Sequence, residues 1–177
     1  MDRGTGVIGA PDYVEPVLGW RMWYAVDHGG PTRLSSVVHT TVWEPGLPLV
    51  ATCRRIRIPL WPFGRGRHDA PGADCRCGIY AATVSTLRSY LPEQLAWTQL
   101  VPVVGRVALW GVVQEHEHGW RASFAYPQSL FVPVAELGPG RARRLLADLD
   151  LYGVPVYAVD GGSADAVIDE VESLAAA

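Results

Sequence analysis

The three cysteines of the chain, Cys53, Cys75 and Cys77, fall within 25 positions, and His68 lies among them. No other feature of the sequence restricts the fold as much. Cys75-Arg76-Cys77 is a C-x-C pair, six residues separate His68 from Cys75, and 14 separate Cys53 from His68. Thiolates are soft ligands that suit zinc, and three cysteines with one histidine complete a tetrahedral structural zinc site. The stretch from 55 to 76 holds three prolines and three glycines and reads as a loop. A structureless loop of that length inside a compact domain needs something to hold it. The expectation is a zinc ion bound by Cys53, His68, Cys75 and Cys77. His39, His116 and His118 are the alternatives to His68, and Asp69 or Asp74 would orient a histidine ligand from behind. Gly72 and Gly78 supply the backbone freedom that closely spaced ligands require.

Four protein ligands leave no open position for water, so the expected role of the ion is structural. The pattern of zinc deaminases, H-x-E followed by P-C-x-x-C, is not met. His68 is followed by Asp69-Ala70, and the cysteines are spaced C-x-C. Glu115-His116-Glu117-His118 is a second cluster of acids and histidines; it reads as a polar hairpin turn, with a second metal or acid–base site as the alternative. There is no G-x-S-x-G, P-loop or dinucleotide-binding fingerprint.

Around this centre the hydrophobic pattern is mostly of period two. Trp20 to Val26 alternates as a strand, Asp27 to Pro31 turns, and Leu34 to Trp43 returns as its hairpin partner. Leu49 to Arg54 is a third short strand. Thr83 to Leu91 reads as a helix stopped by Pro92. Val103 to Val113 is a central strand buried on both faces. After a turn at Glu117-His118-Gly119, Trp120 to Tyr126 alternates as its partner, and Ser129 to Val134 is another strand. A helix from Arg141 to about Leu151 ends at Gly153. An edge strand follows at 154–159, its Pro155 unsuited to a central position. Ser163 then caps a last helix.

The fold class expected is α+β: a curved antiparallel sheet, or a small partly open barrel, with a zinc-stapled loop and a C-terminal helix–strand–helix segment. The expected organisation is a lead-in at 1–16, a zinc-stabilised β-rich domain at 17–137 and a small appendage at 138–177 packed on it. Apolar residues make up 49% of the chain, enough for an ordinary core. Trp20, Trp23, Trp43, Trp110 and Trp120 read as core and cross-strand packing, with an aromatic cage for a small cation as the alternative. No apolar run is long enough for a membrane helix, and the N-terminus lacks a secretory pattern. A cytoplasmic protein without a membrane partner is the expectation, and there cysteines serve as metal ligands more often than as disulfides.

The net charge of −3 excludes a general electrostatic pull on DNA or RNA. One segment departs from that balance. Residues 45–68 contain no acid, yet carry Arg54, Arg55, Arg57, Arg65 and Arg67, with Trp61 and Phe63 among them. Arginine interleaved with aromatics suits phosphate pairing and base stacking. The functional expectation is a non-enzymatic, zinc-stabilised binding module. It recognises a protein or nucleic-acid partner through Arg54, Arg55, Arg57, Trp61, Arg65 and Arg67. A zinc-dependent hydrolase or deaminase using Glu115 or Glu117, and a thiol redox sensor, are the alternatives.

Overall fold

Strand periodicity dominates the sequence, and a single sheet dominates the computed structural model, which describes residues 15–27, 29–53, 68–96, 100–161 and 164–176. Eight strands, three α-helices and a short 3-10 helix at Asp150–Tyr152 occur among them. The strands and α-helices are β1 (Val17–Val26), β2 (Arg33–Ser36), β3 (Val42–Trp43), β4 (Leu49–Val50), β5 (Ile79–Ala82), α1 (Val84–Ala96), β6 (Val101–His116), β7 (Gly119–Pro133), α2 (Pro139–Leu149), β8 (Val156–Val159) and α3 (Ala164–Ala176). No helix among the described residues is long and apolar enough to cross a membrane.

The frame is the long antiparallel hairpin β6–β7, closed at Glu117-His118. Gly119 opens β7 with φ +138°, and a Cβ there would collide with the carbonyl of Ala81. Only glycine serves where β5 lies this close. The free edge of β6 pairs with β1, from Val17 opposite Leu109 to Ala25 opposite Val101. The free edge of β7 takes three partners in turn: β5 and β4 antiparallel, then β8 parallel. The sheet is therefore mixed, where the sequence suggested a purely antiparallel one. Pairings run round a ring from β1 through β6, β7 and β5, but β5 meets β1 only at Ala82 opposite Trp20. One residue pair does not make a closed barrel.

Successive residues of β1 and β6 face opposite sides, and each side has its own cluster. Trp23, Leu34, Trp43, Val103, Val107, Leu109, Leu130 and Leu149 of α2 fill one. Met22, Val104 and Phe131 fill the other, under Leu87 and Leu91 of α1 and Val167, Ile168 and Val171 of α3. Trp23 and Trp43 are fully buried and meet edge to face, with ring centroids 5.4 Å apart at 88°. Trp20 lies near Phe131, and Trp110 stacks on Phe124. These four tryptophans pack as core and cross-strand residues, and they do not form a cage. Tyr152, in the 3-10 helix that follows α2, ties this corner to β2 and β3: its hydroxyl accepts from the Leu34 amide at 2.9 Å and donates to the Trp43 carbonyl at 2.6 Å.

Four elements differ from the sequence reading, each for a local reason. Leu34 to Trp43 is not one strand. The Ser36 amide turns back to the Thr41 carbonyl, and the Ser36 hydroxyl accepts from the Trp43 indole, so the segment splits into β2 and β3. The third strand ends at Val50, not Arg54. Helix α1 runs through Pro92 to Ala96; the buried Leu87 and Leu91 anchor it on the sheet despite the loss of one intrahelical bond. The segments 120–126 and 129–134 join as one strand, because the ladder skips Gln128 between Pro127 and Ser129. A bulge of that kind accommodates a proline. Moreover, β6 is buried on both faces only around Val103 to Gly105 and beyond Trp110 is exposed at Gly111, Val112, Glu115 and His116.

Candidate metal centre

Strand β7 acts as the ruler that brings the cysteines together. Leu49 and Val50 of β4 lie opposite Ala125 and Phe124, so the chain leaving β4 heads towards Ala122. Ala51 continues the line, its amide donating to the Ser123 carbonyl at 2.8 Å. Strand β5 begins at that same place, with Ile79 opposite Ala122. Cys53 thus follows the end of one strand and Cys77 precedes the start of the next along one edge of β7.

The loop from His68 to Gly78 is tied to this edge by side chains of β6 and β7. Ser123 Oγ donates to the Ala70 carbonyl at 2.8 Å, and Gln114 Nε2 to the Pro71 carbonyl at 3.4 Å. Arg121 donates to three more carbonyls, those of Gly72 and Cys77, each at 3.3 Å, and that of Cys75. A backbone turn from the Cys75 amide to the Gly72 carbonyl completes the frame.

Cys53, His68, Cys75 and Cys77 form one cluster, with their ligand atoms all within 4.8 Å of one another and each side chain partly buried. The Cys53 and Cys75 sulfurs are 3.8 Å apart, too far for a disulfide, and Cys77 Sγ is 3.9 Å from His68 Nε2. His68 Nδ1 donates to the carbonyl of Asp69 at 2.8 Å. That bond turns the lone pair of Nε2 towards the sulfurs and supplies the outer partner a ligating histidine needs. The orienting group is thus the main chain of Asp69, where the sequence suggested a carboxylate. The amide of Gly72 donates to Cys77 Sγ at 3.3 Å.

The cysteines differ electrostatically. The Cys77 amide, then the His68 ring, favour the charged form of Cys75 and draw its pKa down to about 6. Burial pushes the Cys77 thiol up. A metal binds thiolate, so the surroundings of Cys75 favour its metal-binding form. The four donors lie close enough together to share one metal ion.

The remaining sequence candidates divide. Glu115, His116, Glu117 and His118 are exposed at the tip of the β6–β7 hairpin and outside the cluster; His116 Nε2 accepts from Arg121 Nε at 2.8 Å. His39 is outside the cluster too. Arg54, Arg55, Arg57, Trp61, Arg65 and Arg67 lie outside the described residues. Sequence reasoning missed Arg121, Ser123 and Gln114, because nothing local marks a strand residue whose partner is a loop 40 or more positions away.

Gly72 provides a direct test. A Cβ at this position would collide with His68 Cε1 and lie 2.5 Å from His68 Nδ1. The Gly72→Ala variant is expected to displace the imidazole and weaken metal binding by about 10–100-fold, the scale of outer-partner losses. Titration against a chromophoric chelator checks this, and unchanged affinity would show that His68 is not a ligand.

No protein-family model, curated protein or solved structure matches the chain.

Proposed function

We propose that the cluster binds one structural zinc ion and that the domain is a non-enzymatic binding module built around it. The observation that carries this reading is the mutual approach of three sulfurs and one imidazole nitrogen. In a tetrahedral site with zinc–sulfur bonds of about 2.3 Å, neighbouring sulfurs are about 3.8 Å apart. The Cys53–Cys75 spacing of 3.8 Å agrees with that edge. Three thiolates and an imidazole fill the tetrahedron, which favours a structural ion over a catalytic one.

The zinc also defines a display. Cys53 and His68 bracket the 14 residues 54–67, and joining them at one ion closes that segment into a loop at a modest entropic cost. The segment is the arginine-rich, acid-free stretch with Trp61, and Arg54, Arg55, Arg57, Trp61, Arg65 and Arg67 are the residues proposed to meet the partner. Its partner is a protein or a nucleic acid. The Arg54→Ala/Arg55→Ala/Arg57→Ala triple variant tests the surface. For single-stranded nucleic acid, loss of three phosphate contacts is expected to flatten the slope of log affinity against log salt by about 2. A protein partner gives a weaker complex with little change in slope. Retained affinity for every partner captured by the wild-type domain would contradict the proposed surface.

The hydrolase or deaminase alternative gains no comparable support. Glu115 and Glu117 sit on the exposed hairpin tip and take no part in the cluster.

A further inference from the structure

Among the described residues, Arg121 is a buried cation without a counter-ion. It is 5% exposed, and no carboxylate pairs with it among the described residues. Its guanidinium is spent on neutral acceptors instead: the carbonyls of Gly72, Cys75 and Cys77, and His116 Nε2. A buried charge is costly unless something of opposite sign compensates it. Two of those carbonyls belong to cysteines of the cluster, and the third to the residue whose amide donates to Cys77 Sγ.

Three thiolates, a neutral imidazole and a divalent ion sum to one negative charge. We infer that Arg121 is the positioning residue of the metal centre. It holds the Cys75-Arg76-Cys77 loop in its ligating shape and balances the net charge of the metal–thiolate unit. This inference rests on the zinc reading above. The planar fork of arginine suits the task, because one side chain reaches three carbonyls at fixed angles; lysine carries the charge without the fork. The arrangement also explains why the hairpin β6–β7 carries an arginine between Trp120 and Ala122, where alternation alone would place a solvent-facing side chain.

The test compares wild type, Arg121→Met and Arg121→Lys, each loaded with zinc and then with cobalt(II). Zinc affinity is measured by competition with a chromophoric chelator, and the sulfur-to-cobalt charge-transfer band by near-ultraviolet absorption. Arg121→Met is expected to bind zinc about 10–100-fold more weakly, with the band moved to longer wavelength as the thiolates lose their cation. Arg121→Lys is expected to bind with intermediate affinity and keep the wild-type band. Should Arg121→Met fail to fold, Arg121→Lys still decides the matter, since wild-type affinity in it overturns the positioning role. Wild-type affinity in Arg121→Met, or weaker binding with an unmoved band, overturns the inference. A wild-type chain that binds no metal removes the zinc reading itself, a separate outcome.

Discussion

Replacing Cys75 with serine is expected to abolish stoichiometric zinc binding and to lower Tm by about 8–16 °C. The magnitude follows from linkage. At free zinc a thousandfold above Kd, a ligand that binds only the folded state stabilises it by about 4 kcal/mol. In a chain of this size each kcal/mol moves Tm by about 2–4 °C. Cys75 is the informative position: its sulfur lies 3.8 Å from that of Cys53, and its carbonyl is held by Arg121. Serine keeps the size but removes the soft donor. The sheet and its two hydrophobic clusters involve none of the four ligands, so the variant is expected to melt cooperatively at the lower temperature. Chelator-treated wild type should reproduce that melt. Calorimetry with and without zinc checks both, and identical melting in all four samples would contradict a stabilising ion.

The second large effect concerns the core. Trp23→Ala is expected to cost about 3–5 kcal/mol, the usual range for removing a buried large aromatic. Trp23 is 0% exposed, and its ring meets Trp43 edge to face with centroids 5.4 Å apart, a contact that itself contributes about 0.5–1.5 kcal/mol. The strand carrying it pairs with both β2 and β6, so the cavity opens at the centre of the sheet. Urea unfolding of the zinc-loaded variant should show a lower midpoint with zinc still bound below the transition. A loss under about 1 kcal/mol would mean that the Trp23 pocket collapses around the alanine or that this cluster is not the main core.

The candidate metal cluster was legible in the sequence because its chemistry is carried by residue type. Three cysteines and a histidine in one loop admit few other readings, and those four residues meet in the structure. Long strands were legible too: β1 and the first half of β7 lie where period-two patterns place them, and β6 lies where the apolar run from Val103 to Val113 places it. What the sequence hid was set by tertiary contacts. Pro92 lies inside α1 because Leu87 and Leu91 anchor that helix on the sheet. Pro127 continues β7 because the facing strand shifts register. Parallel pairing of β8 with β7 depends on where α2 returns the chain, which no local pattern records. Arg121 is the clearest case. Its strand position resembles that of any exposed residue, and only the approach of the loop at Gly72, Cys75 and Cys77 turns it into a buried clamp. The proposed binding role of 54–67 stands on composition alone: arginines and Trp61 without an acid between Cys53 and His68.

The most direct test of the central claim is elemental analysis of the purified wild-type chain, with zinc, iron, nickel and copper measured against protein concentration. One zinc per chain, resistant to dialysis and released when the thiols are alkylated under denaturing conditions, is the predicted result. A chain that folds to the same sheet with no bound metal, and takes up none when zinc is added, would contradict it.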